Sequence, residues 1–546
     1  MKKSLFALFL LASAVRADPL FVSILEIDSY ESARQSVTSF ERKTGLSSYS
    51  GNMDAFFAKN IPLPVNHWLM LNKPIRFVTA LDTGKPLSDN NPSVLAIVPM
   101  IDRGERLLEA ASAFYKTRVE RGPDAYTLRE PATTNRAPEV HLSLDGTLAL
   151  MTRSRETLDW GWKVRDRFIK APLDMLPGTF RFLVNAQRFA GLLPLFSPEI
   201  ARYDICTEIL KNFPTALVTL DVRSQGIGLA VRGIPVDTSK LAANARLWLA
   251  PPSKLLARIP HTPLFACASN SQPPSFTKNY IPEPYAGLFE PLLPLLPESV
   301  LKGPAMSVLT ETSDGKGLCF LSCANVAEGT DLAETAAKLP RADGALKWTA
   351  LPSRQALDTT VYRFKAELAK QNKPQENSPT DALLQMVLKL FLQKTVMETF
   401  VKDGELIVML GPDRPLAEEG WEKILHPLPS VQTLDKELSF DSWFDSGILV
   451  QGTRLHPSAF LLKSFSIIPG IRREQLLSLP PPGEPGLFGV AKAEDGTITI
   501  GLRLPTSEVA SLRKFDDEAR PMLQEIFFQL LAQQMEAREK KDGTAK

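Results

Sequence analysis

The stretch from residue 140 to residue 152, VHLSLDGTLALMT, sets two apolar runs on either side of Asp145-Gly146. Asp-Gly tolerates positive φ and suits a tight hairpin, so residues 140–144 and 147–152 are predicted as neighbouring antiparallel strands. Working outward, residues 20–27 read as a strand, and Asp28 and Glu31 read as a capping box before a helix carrying Tyr30, Ala33, Val37 and Phe40. Gly45 ends that helix. Residues 75–81 and 94–101 read as a hairpin with a long loop, and Asp102 with Glu105 as a second box before a helix. After the 140–152 hairpin come a predicted helix at 154–169, a strand at 180–185, helices near 188–193 and 199–213, and a hairpin over 216–231. Strands joined by short turns are antiparallel, so the predicted class is α+β rather than a doubly wound parallel fold.

The opening motif recurs. Asp145-Gly146-Thr147-Leu148 has a counterpart in Asp403-Gly404-Glu405-Leu406, each followed by an apolar strand and then by Leu158 or Leu416. Pro19-Leu20-Phe21 recurs as Pro263-Leu264-Phe265, residues 182–188 match 448–454, and Gln225-Gly226 matches Asp495-Gly496 as a hairpin. These pairs keep their order, and their spacing grows along the chain as small insertions would make it. A further pairing of 93–99 with 318–323 requires a deletion followed by an insertion, and the amphipathic stretch 381–400 is read as that inserted helix. The expected organisation is therefore a leader at 1–17, a first α+β repeat over 18–260, a second over 261–530, and a charged tail over 531–546.

The leader is inferred from Lys2 and Lys3, an apolar run through Val15, and small residues before Asp18. Cleavage is placed after Ala17, with Ala12-Ser13-Ala14 as the alternative site. The apolar run falls short of the roughly 20 residues needed to span a bilayer, and no later segment is long and apolar enough. The formal net charge of +2 falls to about −1 once Lys2, Lys3 and Arg16 are removed, which offers nucleic acid no electrostatic attraction. Of the four cysteines, Cys319 and Cys323 stand four apart in a predicted strand, about 13 Å from each other, too far for a bond. Cys267 is the expected partner of one of them, and Cys206 is read as a buried thiol.

No cofactor fingerprint is present. The five histidines, His67, His141, His261, His426 and His456, form no metal-binding pair, and GxSxG, P-loop and dinucleotide motifs are missing. Asp82-Thr83-Gly84 after an apolar run is the sharpest catalytic candidate, since aspartic proteases place such a triplet after a strand in each of two lobes. The corresponding stretch, Thr312-Ser313-Asp314-Gly315-Lys316, does not repeat it, and a glycine turn is the simpler reading. Asp441 and Asp445 around Trp443 suit a glycosidase pair, and also a loop. Trp160 and Trp162 with Arg153 and Arg155 suit a carbohydrate surface, although Trp162 shares a helix face with Leu158 and is expected to pack. The 381–400 stripe suits partner docking or core packing. No catalytic, cofactor-binding or metal-binding residue is assigned.

The layout of residues 94–98, Asp145-Gly146-Thr147-Leu148 leading to Ser154, and a late hairpin before Thr238-Ser239-Lys240-Leu241 resembles large exported bacterial proteins of unknown function. The resemblance implies a periplasmic or secreted role and supplies no site residues. The functional expectation is an exported, non-catalytic protein that binds a ligand or envelope component. The alternatives are a secreted hydrolase with a site between the repeats and an assembly scaffold.

Overall fold

A computed structural model describes residues 21–61, 67–80, 93–115, 120–121, 125–129, 139–169, 178–186, 213–236, 264–269, 305–311, 318–325, 331–338, 346–368, 395–418, 448–467, 487–494, 496–515 and 517–518. Helices and antiparallel strands are mixed, and the class is α+β. Two compact units emerge. The first holds Met1–Arg246 with Ser439–Gly447 and Lys492–Leu502, and the second holds the remainder.

In chain order the first unit contains β1 (Phe21–Ile27), α1 (Tyr30–Thr44), α2 (Tyr49–Asn60), β2 (Ile75–Ala80), β3 (Ser93–Pro99), α3 (Glu105–Tyr115), β4 (Glu120–Arg121), β5 (Tyr126–Arg129), β6 (Glu139–Asp145), β7 (Leu148–Thr152), α4 (Arg155–Ile169), β8 (Phe180–Asn185), β9 (Thr215–Arg223) and β10 (Gly226–Gly233). Its strands lie side by side as β4-β5-β6-β7-β3-β2-β1-β8-β9-β10, each antiparallel to its neighbour. One face of the sheet packs Ile27, Ile75, Phe77, Ala96 and Val98 against α1, α2 and α3 through Tyr30, Phe57 and Leu107, with Trp68 enclosed. Burying each such large side chain contributes about 1.5–3 kcal/mol. On the other face α4 comes close enough that a Cβ on Gly161 would lie 2.3 Å from a methyl of Leu95.

The second unit contains β11 (Phe265–Ser269), β12 (Ala305–Glu311), β13 (Leu318–Asn325), α5 (Leu332–Lys338), β14 (Leu346–Ala356), β15 (Thr359–Leu368), β16 (Thr395–Lys402), β17 (Glu405–Pro412), β18 (Ile448–Leu455) and α6 (Pro457–Ile467); β19 (Leu487–Glu494) and β20 (Thr497–Pro505) follow along the chain. Here the order is β14-β15-β16-β17-β13-β12-β11-β18, again antiparallel. Taken position by position, this is the pairing order of β4 through β8 in the first unit. Both faces are buried: Met306, Leu321, Phe400 and Met409 fill one, and Ala324, Phe364, Met397 and Val408 the other.

Several expectations need correction. The N-cap of α1 is Ser29, whose hydroxyl accepts the Ser32 amide, while Asp28 pairs instead with Arg181; Gly45 does close the helix at φ 68°. At the head of α3, Asp102 accepts the amides of Gly104 and Arg106. The hairpin at 145–148 turns on Gly146-Thr147, since Asp145 already pairs with Leu148, and only Gly146 takes positive φ. Its counterpart turns on Asp403-Gly404, both at positive φ, the preference of a two-residue type I′ loop. The two turns are thus offset by one residue from the sequence match. The hairpin after β9 likewise turns on Ser224-Gln225, with Gly226 already paired to Arg223.

The expected helix at 381–400 fails at its C-terminal end. Residues 395–400 belong to strand β16, in which Val396, Met397 and Phe400 are all buried, and residues 381–394 lie outside the described residues. A strand buried on both faces loses its alternation of apolar and polar positions, and its apolar run then resembles a helix face. The expected bond between Cys267 and Cys319 or Cys323 is also absent: neither of the latter, both buried, takes part in a disulfide. The reason is the order of strands. β12 lies between β11 and β13, with Cys267 opposite Ser307 and Ser307 opposite Ser322. Two strand spacings, about 9.5 Å, exceed the reach of a disulfide.

Candidate functional site

Charge has been drawn into the interior at a few places, and these are the polar constellations from which a site can be built. In the first unit Glu26 interrupts the apolar β1, and the register sets it between Arg76 on β2 and Arg181 on β8. Its Oε2 accepts the Arg76 Nε at 2.5 Å and its Oε1 lies 2.7 Å from an Arg181 Nη, with Glu26 only 1% exposed. Arg181 also reaches Asp28 at the end of the strand. Both carboxylate oxygens are therefore engaged by guanidinium groups across three adjacent strands.

The second unit builds a comparable cluster elsewhere in its sheet. Glu398 on β16 is fully buried opposite Arg363 on β15, and Arg354 on β14 contacts both of its oxygens, at 3.0 and 2.9 Å. The amide of Ala417 donates to Oε2 at 2.8 Å. Arg354 extends to Glu418, and Arg363 to Asp413 at 2.5 Å, so the chain after β17 is tied to the β14–β15 hairpin. The Glu418 carboxylate, then Glu398, raise the Arg354 guanidinium above its ordinary value against the opposing effect of burial, and Arg354 in turn holds the Glu418 carboxyl low.

Three further buried carboxylates have fixed partners. Glu41 of α1 accepts the amides of Tyr49 and Ser50 at 2.6 and 3.0 Å and the Ser50 hydroxyl at 2.5 Å, and so caps α2. Glu508, in the helical segment 506–515, does the same for α6 through the Ser458 amide and hydroxyl, at 2.7 and 2.8 Å. Glu405 accepts the Cys323 thiol at 2.9 Å. Hydrogen bonds from arginine, amides and hydroxyls make burial of a carboxylate tolerable.

Among the described residues, those singled out from sequence do not converge. Asp82-Thr83-Gly84, residues 312–316, Asp441, Trp443, Asp445, His261, His426 and Cys206 lie outside the described residues. Trp160 and Trp162 are each half-buried on α4, and Arg165 rather than Arg153 or Arg155 covers the Trp162 ring, its guanidinium carbon 4.4 Å from the ring centre. Arg155 pairs with Asp159 one turn on, and Arg153 reaches the Lys59 carbonyl. His141 lies beside Thr127 on the neighbouring strand, 3.4 Å away, His456 precedes α6, and His67 is exposed. Among the described residues no cluster of three His, Cys, Asp or Glu side chains is placed to hold a metal. The arginine-bound glutamates escaped the sequence reading because a charge within an apolar strand signals itself, while its partner appears only once the register is known. Set against protein-family models, curated proteins and solved structures, the chain matches none.

Proposed function

We propose that this is an exported protein, that its two units arose by tandem duplication of one antiparallel α+β scaffold, and that it binds a ligand or an envelope component without catalysing a reaction. The observation that supports a non-catalytic role is how the buried carboxylates are used: Glu26, Glu41, Glu398, Glu405 and Glu508 each accept from donors that belong to the scaffold itself. Groups committed in this way act as struts. The duplication is supported by the shared pairing order and by the ordered sequence matches, of which Asp145-Gly146 and Asp403-Gly404 are the clearest. Export rests on the basic, apolar and small-residue sequence of residues 1–17.

The test is native mass spectrometry of the protein purified from the extracytoplasmic fraction of its own host. A chain shortened at Ala17 or Ala14 that carries a small-molecule mass, or a bound envelope protein, is the expected result. A full-length cytoplasmic chain would overturn export. A bare monomer that hydrolyses ester, peptide or glycoside reporters would overturn the non-catalytic role.

A further inference from the structure

Among the described helices of the first unit α2 is the least embedded: of its residues only Phe57 is buried, while Tyr49 is 55% and Phe56 39% exposed. Its N-terminus lacks a local cap. Ser48 stands at the N-cap position with φ 83°, a conformation unfavourable for a residue other than glycine, and its side chain makes no capping bond. The cap comes from Glu41, on the preceding helix, through the Tyr49 and Ser50 amides and the Ser50 hydroxyl. A second carboxylate holds the middle of the helix, where Asp54 accepts the Tyr30 hydroxyl and the Arg34 Nε, the latter at 3.0 Å. We propose that α2 is an acid-released flap, held to α1 by the two carboxylates Glu41 and Asp54, whose opening uncovers Phe57 and Met53 beside the already exposed Tyr49 and Phe56.

Every group that faces these two carboxylates favours their charged forms. Burial works to raise the Glu41 carboxyl, but the Ser50 hydroxyl and the Ser50 and Tyr49 amides together outweigh it and hold it below the usual glutamate value. Arg34 holds Asp54 low, with burial opposing and Tyr30 assisting. Of the other elements packed on α2, β3 contributes no charged residue, Arg76 of β2 is committed to Glu26, and Arg153 reaches only the Lys59 carbonyl at the far end. Since both carboxyls are depressed in the folded state, their hold is complete above the ordinary carboxylate range, about pH 4, and is lost as the pH falls through their lowered values. The ring contacts then remain: Phe57 against Tyr30 with ring centres 4.0 Å apart, and Phe56 and Phe57 edge-on against Phe77 at 5.1 and 6.2 Å.

Hydrogen exchange at neutral pH on the full chain tests this with Glu41→Gln combined with Asp54→Asn, which imitates the acid state. Amides of residues 49–60 should exchange roughly tenfold to a hundredfold faster than in wild type, while β2 and β3 keep their protection. Unchanged exchange in α2 would overturn the proposal, and so would an equal loss across β2 and β3. Ser50→Ala keeps every charge and should loosen the same helix by a smaller factor. If the double variant does not fold, the wild type at about pH 3 provides the same comparison. Proteolytic cleavage between residues 46 and 61 should then precede loss of near-ultraviolet circular dichroism, and simultaneous loss would overturn the proposal.

Discussion

Glu26 and Glu398 show what a single buried charge requires. Each has buried apolar residues two positions away in its strand, Ile24 beside Glu26 and Val396 and Phe400 beside Glu398, and each is tolerated because arginines on adjacent strands engage its oxygens. Removing one member of such a pair strands the other, at a cost of about 3–5 kcal/mol. Glu26→Ala is thus expected to destabilise by that amount, and Glu398→Ala by less, since Arg354 keeps Glu418 and Arg363 keeps Asp413, although the Ala417 amide loses its acceptor. Urea unfolding curves at neutral pH measure both; a loss below about 1 kcal/mol would show that water or a neighbouring group replaces the carboxylate. Leu357 illustrates a different compromise. It adopts φ 53° in the two-residue turn between β14 and β15, a strained state for leucine, and its side chain packs against the core around Phe400 and Met409.

At the scale of elements, helix–sheet contact depends on where a side chain is missing. Gly161 lies within α4 at a point where a Cβ would meet Leu95, itself fully buried in β3. Helix propensity alone would favour alanine by roughly 1 kcal/mol. Overpacking opposes it, and Gly161→Ala is expected to destabilise by about 1–3 kcal/mol net, through displacement of α4 from β3. Combining it with Leu95→Ala should cost less than the two single changes added together, so a double-mutant cycle by thermal unfolding checks the contact. The turns obey the same local logic. Asp403-Gly404 takes two positive φ values and Gly146-Thr147 one, which is why similar tetrapeptides close their hairpins one residue out of step.

For the whole molecule, acid is the informative perturbation. Glu41, Asp54 and Glu418 all titrate below their ordinary values, so each contributes stability that is fully present above the unfolded carboxylate range and disappears as the pH falls through the folded value. Urea midpoints should stay level from about pH 7 to 5 and decline below about pH 4. A midpoint that rises on acidification would contradict these assignments. Glu418 is 42% exposed, and its share should shrink in high salt, whereas the buried Glu41 should respond little.

Local chemistry was enough to determine the mixed class, the antiparallel hairpins, the helix of Tyr30, Ala33, Val37 and Phe40, and its end at Gly45, because propensity, turn geometry and helical periodicity act within a few residues. What lay between distant strands was decided only by the tertiary structure. The placing of β12 between β11 and β13 removed Cys267 from reach of Cys319 and Cys323, and the register of β1 with β2 and β8 brought two arginines to Glu26. Residues 395–400 became a strand buried on both faces of the sheet. Each of these outcomes depends on which segments become neighbours, a choice set by the packing of the whole sheet and carried by no short stretch of the chain.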